Sequence, residues 1–418
     1  MKHIVFILGS YYPNYSAVGK CMGNIATVMA QTNKVTVIGT QTQLDQLSTE
    51  EYNEQNIIRV ITPHERRRFQ LERLVATSVG IKRCFARTLQ WFFRLLGVLK
   101  IFVTPATLDY QLVTEYGKAL DQLAIPADVI VPTCIPFESV ISALKYKEKH
   151  PDVVLLPCLY DLFAANRNLN RTPWNYRLKW ANNLKLERAM FEQAHHVFHV
   201  GNWTKHIEEH HAEYRTKHTE IEHPLLVCPT NQLSCQASSE IHMVYTGVVD
   251  EKNRNPQKVL QILAQIKHKG IVSDFYSFGS GQSIVEQFAT QYSTIIAHGK
   301  VESQVAELAR AQASILISIG NKDVNQVPSK LIEYMATGKP IMHFAWSSED
   351  TAVKLLNHYP AKKIIYLDNL PLKEEIESFI MEHKNVIIPF EEVKQWIPEA
   401  TPEDVFYKLK KHSGGAIY

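Results

Sequence analysis

The sequence lacks any CxxC pair, although six cysteines are spread over its 418 residues. These cysteines are Cys21, Cys84, Cys134, Cys158, Cys228 and Cys235. Scattered single cysteines exclude the common zinc and redox motifs and are typical of reduced thiols in a cytosolic protein. We therefore expect a cytoplasmic protein whose function depends on neither a metal nor a disulfide exchange.

Long apolar runs are also missing. No stretch reaches the roughly 18 apolar residues of a membrane span, and the apolar run in MKHIVFILGSYYP is too short for a signal peptide. The net charge of +3 is too small to indicate nucleic acid binding. The composition, 45% hydrophobic and 21% charged, is typical of a globular protein. At about 100–200 residues per domain, the length indicates two or three domains.

Several well-known site motifs are absent as well. The chain has no P-loop and no G-x-S-x-G elbow, and FGSGQS is too short for a dinucleotide fingerprint. His195, His196 and His199 invite a metal interpretation, but AHHVFHV is typical of a strand. His195 and His199 would then share a face and lie too far apart to bind one ion. We expect no metal and no nicotinamide cofactor.

The chain does contain short apolar runs that alternate with segments of helical spacing. Strands are predicted at residues 4–8, KVTVIGT, DVIVPT, VVLLPCLY and HVFHVG, and a second series follows from about residue 240. That series consists of IHMVYTG, SDFYSFGSG, TIIAHGKV, SILISIG and KPIMHF. The helices predicted between and after these strands are NPQKVLQILAQIKHKG, SQVAELARAQA, PSKLIEYMATG and SEDTAVKLLNHY. A repeated strand–helix–strand order predicts α/β architecture, with parallel sheets covered by helices on both faces.

Two doubly wound, Rossmann-like halves of about 200 residues fit this length. The polar stretch at residues 223–240 contains two prolines and separates them. We predict a first domain at 1–225 and a second at 226–395, with a helical segment at 396–418 that crosses back to the first.

Residues 64–103 interrupt the alternation. HERRRFQLERL and IKRCFARTLQWFFRLLGVLKIFV mix arginine and lysine with tryptophan, phenylalanine and leucine. A basic amphipathic helix of this kind is able to lie in a membrane interface. The alternative is a helical pair whose apolar face packs on the first sheet, and composition alone leaves both open.

The stretch NQVPSKLIEYMATGKP holds the strongest candidate site. Pro328 suits the first helical position, and Gly338 suits the residue just past the helix end. The amides of Ser329 and Lys330 would point from the helix start and form an anion site suited to phosphate. Glu333 is able to accept two hydrogen bonds from a ribose diol. The alternative is purely structural, since a first-turn glutamate favours the helix dipole without any ligand.

This stretch resembles the donor-site segment of GT-B glycosyltransferases, most closely the retaining enzymes of family 4. The resemblance covers residues 1 to about 410 and implies two Rossmann-like domains facing a central cleft. Glu333 matches the second glutamate of that family's Glu-x7-Glu motif, which meets the nucleotide ribose. Asn325 stands in place of the first glutamate, beside the transferred sugar, and Asp323 is a nearby carboxylate that could compensate.

Other segments carry the same resemblance. FILGSYYPNYSAVGKCMGNIA matches the first strand, loop and helix, and Gly19 would lie close to the donor phosphates. YTGVVDEKNRNP matches the segment that grips the diphosphate, with Gly247 and Arg254 as the best matches and Lys252 as the alternative to Arg254. The planar guanidinium of an arginine suits a diphosphate.

The resemblance also extends to the nucleotide base and the sugar. YSFGSG, with Gly279, and AHGKV, ending at Val301, match segments that line the nucleotide. LLPCLYDLF matches a segment of the acceptor domain, where the family has a histidine and this chain has Tyr160 and Asp161. We predict that Asp161 contacts the transferred sugar or the acceptor.

The function that the resemblance implies is transfer of a sugar from a nucleotide-diphospho-sugar, UDP- or GDP-linked, with retention of configuration. Arg254, Lys330 and Asn325 would act at the reacting groups together with Asp161, without a metal. We expect the acceptor to be a glycan or lipid-linked glycan in surface polysaccharide synthesis, and the enzyme to be cytoplasmic or peripheral at the inner membrane face. The alternatives are a nucleotide-sugar epimerase or hydrolase of the same fold, and a non-catalytic partner in a polysaccharide complex.

Overall fold

The computed structural model describes the whole chain except Arg171, Lys267 and residues 230–239, 323–328 and 370–371. Its internal contacts divide the chain into two units. The first unit consists of Met1–Pro224 together with Pro402–Tyr418, and the second of Leu225–Thr401. The sequence analysis had placed the domain boundaries at 225/226 and 395/396.

The first unit alternates strands and helices along most of its length. Its elements are β1 (His3–Ser10), α1 (Ala17–Ala30), β2 (Lys34–Thr40), β3 (Thr49–Tyr52), β4 (Gln55–Val60), α2 (Pro63–Thr77), α3 (Gly80–Val103), α4 (Tyr110–Asp121), β5 (Val129–Pro132), α5 (Glu138–Lys149), β6 (Val154–Leu155), β7 (Cys158–Leu159), α6 (Pro173–Gln193), β8 (Val197–His199), α7 (Asn202–His210) and β9 (His218–Glu220).

The second unit repeats the alternation, and the last helix of the chain belongs to the first unit. The elements are β10 (Ile241–Val248), α8 (Gln257–Leu263), β11 (Ile271–Phe278), α9 (Gln282–Gln291), β12 (Ile295–Ala297), α10 (Ser303–Gln312), β13 (Ile315–Ile319), α11 (Lys330–Ala336), β14 (Ile341–Ala345), α12 (Thr351–Leu355), β15 (Lys362–Tyr366), α13 (Lys373–His383), α14 (Phe390–Trp396) and α15 (Pro402–His412).

The main sheet of the first unit has the order β3-β4-β2-β1-β5-β6, and only the β3–β4 pair is antiparallel. Its central strand β1 is buried from His3 to Leu8 because helices cover both faces. A second, parallel sheet has the order β7-β8-β9. The hairpin of β3 and β4 was not predicted from the sequence.

The predicted strand VVLLPCLY is one of the points at which the sequence analysis was wrong. The structure splits it into β6 and β7, which belong to different sheets. Pro157 lies between them and has no N–H to continue a ladder. Its carbonyl instead accepts from Phe198 N at 2.8 Å, so the chain changes its pairing partner at the proline.

The sheet of the second unit is parallel throughout, with the order β12-β11-β10-β13-β14-β15. In sequence order this is 3-2-1-4-5-6, the doubly wound arrangement. Two predicted helices are shorter than expected. NPQKVLQILAQIKHKG is helical only over α8, and α12 covers five residues before a 3₁₀ turn at Leu356–His358.

Residues 64–103 lie in a hairpin formed by α2 and α3. The carboxyl end of α3 is held by α6, where Lys179 Nζ donates to Thr104 Oγ1 at 2.9 Å. Phe102 and Trp174 stack with ring centroids 6.3 Å apart. Within the described residues, no helix has the length and apolar content that crossing a bilayer requires.

Candidate functional site

The strand order of the second unit reverses between β10 and β13. Strand β10 is the first strand of its sheet in the chain, and β13 is the fourth, so the chain turns to opposite sides of the sheet after each. In doubly wound sheets, ligands bind outside the carboxyl ends of the strands at this switch point. The residues that follow these two strands are therefore the candidate site.

Gly247, near the end of β10, adopts φ +148°, a region that favours glycine. A Cβ at this position would lie 3.5 Å from Lys330 Cδ. The glycine therefore faces the side chain of Lys330, and the start of α11 lies beside the end of β10. The structure brings together two residues that are 83 positions apart in the sequence.

Arg254 is fixed across the switch point. Its Nε and Nη2 donate to Asn321 Oδ1 at 3.1 and 2.8 Å, and its Nη1 lies 3.4 Å from the Val248 carbonyl. Asn321 follows β13, whereas Val248 ends β10. No ion pair among the described residues includes Arg254, so a neutral amide positions the guanidinium and leaves its charge available to an anion.

The loop that carries Arg254 is itself closed by hydrogen bonds. Asp250 accepts from the main-chain amides of Lys252 and Asn253 at 3.0 and 2.7 Å, and the main chains of Asp250 and Arg254 bond to each other. Lys252, the alternative diphosphate ligand, is exposed on this loop. The loop geometry therefore favours Arg254 over Lys252 at the strand ends.

Helix α11 begins at Lys330 with Ser329 as its flanking residue, and the Ser329 side chain makes no capping hydrogen bond. The predicted first helical residue, Pro328, lies outside the described residues, as do Asn325 and Asp323. The predicted helix end agrees with the structure. Gly338 adopts φ +69° and its amide donates to Met335 O at 3.0 Å.

Glu333 has a protein partner that the sequence analysis missed. Its Oε2 lies 3.2 Å from Nη2 of Arg310 on α10, and the two side chains are 14% and 7% exposed. Arg310 Nη1 also donates to Thr246 Oγ1 at 3.2 Å, and the hydroxyl of Tyr334 accepts from Thr246 N at 2.8 Å. The carboxylate is thus held beside β10 by an arginine.

The ends of β11 and β12 contribute a glycine turn and an exposed aromatic ring. Gly279 has φ +119°, and a Cβ there would lie 2.3 Å from Val249 O, so the turn requires glycine. Phe278 is 41% exposed, and Lys300 Nζ lies 5.5 Å from its ring centroid. Val301 is half-buried just beyond Lys300. These groups form an apolar and cationic surface that is suited to a nucleotide base.

Gly19 lies in the first turn of α1, at the carboxyl end of β1. A Cβ there would lie 2.1 Å from Ser10 O, so the helix approaches the strand more closely than any other residue permits. The amide of Gly19 donates to Ser16 Oγ at 3.0 Å. The glycine has a packing reason in the structure, and its predicted contact with a donor phosphate stays a prediction.

Asp161 follows β7 and has a fixed main chain. Its carbonyl accepts from Trp203 Nε1 at 3.0 Å and from Cys134 Sγ at 2.8 Å, while its side chain is exposed. The surrounding protein removes part of the hydration of the Asp161 carboxylate, which raises its pKa. The electrostatic effect of His223 opposes that shift. The carboxylate is therefore positioned, close to an imidazole, at the edge where parallel strands end.

Two residues near Asp161, Glu222 and His223, were missed from the sequence. Strand β9 ends next to Glu222 and His223, and His223 Nδ1 bonds to Glu222 Oε1 at 2.8 Å. The ring of His223 lies 5.5 Å from that of Tyr160, whose hydroxyl is buried without a partner among the described residues. Burial raises the pKa of Glu222, but the hydrogen bond and charge of His223 lower it by more. Only the parallel pairing of β7, β8 and β9 brings these groups together.

One group of metal-ligand side chains lies close together in the described residues, namely Glu187, His206 and His211. Glu187 Oε2 accepts from both imidazole Nε2 atoms, at 2.8 and 2.9 Å. A metal bound at both Nε2 atoms would move each ring proton to Nδ1. His211 Nδ1 is buried without a partner, and a buried N–H without an acceptor costs about 1–3 kcal/mol. The geometry therefore fits a hydrogen-bonded triad rather than a metal site.

The histidines considered from the sequence also have protein partners. His195 Nδ1 accepts from Leu155 N at 3.1 Å, and His199 Nε2 lies 2.8 Å from His218 Nδ1. The first interaction connects β6 to the segment before β8, and the second connects β8 to β9.

Comparisons with known proteins bear on the fold. No protein-family model and no curated protein sequence matches the chain. Among solved structures, sucrose-phosphate synthase from Thermosynechococcus elongatus is similar over 98% of both chains, with a TM-score of 0.59 and 11% identity. The catalytic domain of starch synthase IV from Arabidopsis thaliana, bound to ADP and acarbose, is similar over 99% of both chains, with a TM-score of 0.57 and 9% identity.

A third similar structure is Anabaena HepE in complex with UDP and glucose. The similarity covers 98% of this chain and 99% of HepE, with a TM-score of 0.53 and 10% identity. At such identities the comparison establishes architecture rather than reaction. Two parallel doubly wound sheets and neighbours that extend over nearly the whole chain show that this protein has the GT-B fold of glycosyltransferases.

Proposed function

We propose that the protein is a glycosyltransferase that uses a nucleotide-diphospho-sugar as donor. The observation that carries this proposal is that Arg254, held by Asn321 across the ends of β10 and β13, and Lys330, beside Gly247, both lie at the end of β10. Two cationic side chains are thus present at the switch point of a doubly wound sheet. A diphosphate matches their charge, and Glu333 on the same helix as Lys330 would accept from the ribose diol.

The chemistry of the proposed reaction depends on stabilising a leaving group. When the bond between sugar and diphosphate breaks, negative charge builds on the departing phosphate oxygen. Preorganised cations and helix-terminal amides aimed at that charge lower the barrier. Arg254 and Lys330 with the amide of Ser329 would supply this stabilisation, so we expect activity without added divalent metal.

The stereochemical course and the reacting residues remain proposals based on the family resemblance. The leaving phosphate would accept the proton of the acceptor hydroxyl on the face where the new bond forms, which retains the anomeric configuration. Asn325 would contact the transferred sugar by hydrogen bonds, and Asp161 would contact the sugar or acceptor from the first unit. Pro328, Gly279, Val301 and Gly19 would shape the donor site.

The proposed donor is a UDP- or GDP-sugar. HepE, which shares the fold, has been solved with UDP and glucose, and this supports a nucleotide-sugar ligand for the same architecture. The proposed acceptor is a glycan or a lipid-linked glycan of surface polysaccharide synthesis. The enzyme would then work in the cytoplasm, attached peripherally to the inner face of the membrane.

A ligand screen tests donor binding. Thermal unfolding would be followed with UDP, GDP, ADP and CDP and with their glucose conjugates, since a ligand that binds only the folded protein raises its stability. We expect at least one nucleoside diphosphate to raise the unfolding midpoint. If none does, the transferase and the epimerase or hydrolase alternatives both fail, and a non-catalytic partner is favoured.

Paired variants test the role of Arg254. We expect Arg254→Ala to lower kcat about 100-fold with a smaller change in donor affinity, because its charge acts mainly on the leaving group. Lys252→Ala is the matched control on the same loop, and we expect little change. Equal losses in both variants would contradict the assignment of Arg254.

Product analysis separates transfer from the alternatives. Incubation of the donor with and without a lipid-linked saccharide acceptor distinguishes transfer from epimerisation and hydrolysis. An anomeric NMR measurement of the product then determines the configuration. A product of inverted configuration would exclude the proposed retaining course while leaving the transfer itself intact.

A further inference from the structure

We infer that the helical hairpin of α2 and α3 docks the first unit onto a lipid bilayer with anionic headgroups, with α3 lying in the interface. This inference deepens the proposed function, on which it rests for its biological purpose, by naming the surface where a lipid-linked acceptor would be met. The physical argument for docking itself depends only on the residues of the hairpin and of α6.

One face of α3 is apolar and exposed along the full length of the helix. Ile81, Phe85, Phe92, Leu96, Leu99 and Val103 are 89%, 65%, 49%, 41%, 50% and 82% exposed. Their spacings of three, four and seven residues place them within an arc of about 60° on a helix of 3.6 residues per turn. A continuous apolar stripe that is exposed to solvent indicates an interaction site.

The stripe faces away from the protein. Ala86 is fully buried, and a Cβ at Gly97 would lie 3.4 Å from His64 Nε2 of α2. These two residues lie on the side of α3 opposite the stripe, and Phe93 between them is half-buried. The helix therefore already has a packing face, and its exposed apolar face is additional to it. This excludes the alternative in which the apolar residues of α3 serve only to pack on the first sheet.

Basic residues occupy the polar side of α3. Lys82 borders the stripe, while Arg83, Arg87 and Arg94 lie on the side of the helix away from it, and all four are exposed. The α3 sequence contains no aspartate or glutamate. An apolar face opposed by a basic polar face is typical of helices that lie in a bilayer interface with anionic headgroups.

The polar residue within the stripe is internally bonded. Thr88 occupies the turn between Phe85 and Phe92, and its hydroxyl donates to Cys84 O at 3.1 Å. A hydroxyl that is already bonded to the helix main chain loses little when water is removed. The stripe can therefore enter an apolar phase without leaving an unpaired polar group at its centre.

The apolar surface continues onto α6. Trp174 and Leu178 are 63% and 57% exposed, and Trp174 stacks on Phe102 at the end of α3. Tryptophan is enriched at membrane interfaces because its ring is amphipathic. Trp91, which is 66% exposed beside the stripe, is a second such residue. The docking surface thus includes two helices that are joined by packing.

Charge distinguishes a bilayer from a second copy of the chain. In a twofold dimer the same patch meets itself, so pairing through the stripe would join two helices that both carry basic residues and no acid. An anionic bilayer neutralises the same charges. The composition of α3 therefore favours lipid over self-association.

Vesicle flotation tests the inference with the full-length protein. We expect binding to vesicles of phosphatidylcholine and phosphatidylglycerol in equal amounts, and much weaker binding to phosphatidylcholine alone. Replacing Arg87 and Arg94 by Gln should weaken binding about 25-fold, at roughly fivefold per basic residue. Lys410→Gln with Lys411→Gln on α15 is the matched control for charge, since both lysines are exposed.

A second set of variants tests the apolar stripe. Phe85→Ser, Phe92→Ser and Leu99→Ser together should lower vesicle binding about tenfold or more, because affinity scales with inserted apolar area. The control replaces Leu47, Leu372 and Tyr407 by Ser, which are 64%, 69% and 66% exposed outside the hairpin. Equal binding by the stripe variant and the parent protein would overturn the inference.

Site-specific fluorescence locates the contact. Cys84 on α3 and Cys228 are the exposed free cysteines of the described residues. An environment-sensitive dye on Cys84, with Cys228 and Cys235 replaced by Ser, should shift to the blue on vesicles. The same dye on Cys228, with Cys84 and Cys235 replaced, should not shift, and a shift at Cys228 alone would also contradict the docking geometry.

The outcomes separate this inference from the proposed function. Loss of vesicle binding in the stripe variant, with unchanged stabilisation by a nucleoside diphosphate, supports docking as a distinct property. If the parent protein binds no vesicles but forms dimers that the stripe variant lacks, the surface is a protein interface and the inference is wrong. If vesicles bind but no nucleotide does, docking stands while the transferase proposal fails.

Discussion

Glu333 combines two roles that the sequence could not separate. It is the residue proposed to accept from the nucleotide ribose, and it is also the ion-pair partner of the largely buried Arg310. Loss of the carboxylate would therefore affect both ligand and protein. A measurement of function at this position must distinguish lost recognition of the ribose from a displaced arginine.

We expect Glu333→Ala to weaken binding of a nucleoside diphosphate by about 1–3 kcal/mol, because the ribose hydroxyls lose their acceptor. The corresponding 2′,3′-dideoxynucleotide should bind the parent protein and the variant with similar affinity. Calorimetric titration of both ligands measures the difference. Glu307→Ala is the matched control, since Glu307 also lies near Arg310, at 4.0 Å.

The same measurements distinguish a role of Glu333 in binding the ribose from a role in positioning Arg310. If both ligands lose affinity equally in Glu333→Ala, the carboxylate acts by positioning Arg310, and the ribose assignment is wrong. If Glu307→Ala has the same effect as Glu333→Ala, the charge of Arg310 rather than either carboxylate is the relevant quantity.

Asp161 and His223 form the corresponding pair in the first unit. We expect His223→Ala to lower the rate of transfer about tenfold or more, because Asp161, the proposed sugar or acceptor contact, loses its imidazole neighbour. Affinity for a free nucleoside diphosphate should stay unchanged, because His223 is not among the residues proposed to bind it. Steady-state kinetics and calorimetry measure the two quantities.

A double-mutant cycle with Asp161→Asn checks whether the pair acts together. Neighbouring groups on one ligand should give non-additive losses, whereas independent sites give additive ones. His150→Ala, an exposed histidine of the same unit, is the control. Unchanged transfer by His223→Ala would remove this residue from the candidate site.

At the scale of elements, helix lengths were the features that the sequence identified least well. The pattern PSKLIEYMATG correctly placed a glycine just past the end of α11, because a left-handed residue there has few alternatives to glycine. Helices α8 and α12 end earlier than predicted, because an apolar pattern alone does not fix where a helix ends. Pro157 shows the same limit for strands, since its missing N–H decides where the chain leaves one sheet for another.

Two glycines in helices give a matched prediction. Gly19→Ala should destabilise the protein by about 1–3 kcal/mol, because the new Cβ would overlap Ser10 O and force α1 from β1. Gly117→Ala in α4 meets no atom within 4 Å and should stabilise it by about 0.5–1 kcal/mol. Denaturant unfolding measures both. Similar stability changes in the two variants would contradict the close-packing role of Gly19.

At the scale of the whole molecule, the last helix of the chain, α15, contacts the rest of the first unit through a pair of histidines. His196, beside β8, stacks on His412 of α15 with ring centroids 3.7 Å apart. Burial and the neighbouring histidines His412, His218 and His199 lower the pKa of His196 to about 4. The folded protein therefore binds this proton less readily than the unfolded chain, whose histidine titrates near pH 6.5.

The sign of the pH dependence follows. Well above pH 6.5, neither the folded protein nor the unfolded chain binds this proton, so the neutral His196 makes its full contribution to the stability of the fold. As the pH falls from 6.5 towards 4, the unfolded chain takes up the proton first and folding becomes less favourable. Between pH 7 and 5 we expect His196 to account for a loss of about 2 kcal/mol.

Urea unfolding of the parent protein and of His196→Phe at pH 7 and at pH 5 tests this expectation. The variant keeps a ring against His412 but cannot titrate, so its stability should depend less on pH. The exposed His358, replaced by Gln, is the control. An unchanged slope in His196→Phe would show that another group causes the acid sensitivity.

The sequence by itself determined the alternation of elements, the parallel sheets, the glycine beyond α11 and the amphipathic nature of residues 64–103. These properties follow from local rules, namely hydrophobic period, backbone conformation and composition. Tertiary structure alone decided which distant groups meet. Arg310 reaches Glu333, Asn321 orients Arg254, and His223 lies against Tyr160, next to Asp161, because parallel pairing brings the ends of separate strands to one edge. It also decided which face of α3 is left exposed, because that depends on the packing of α2 against the opposite face.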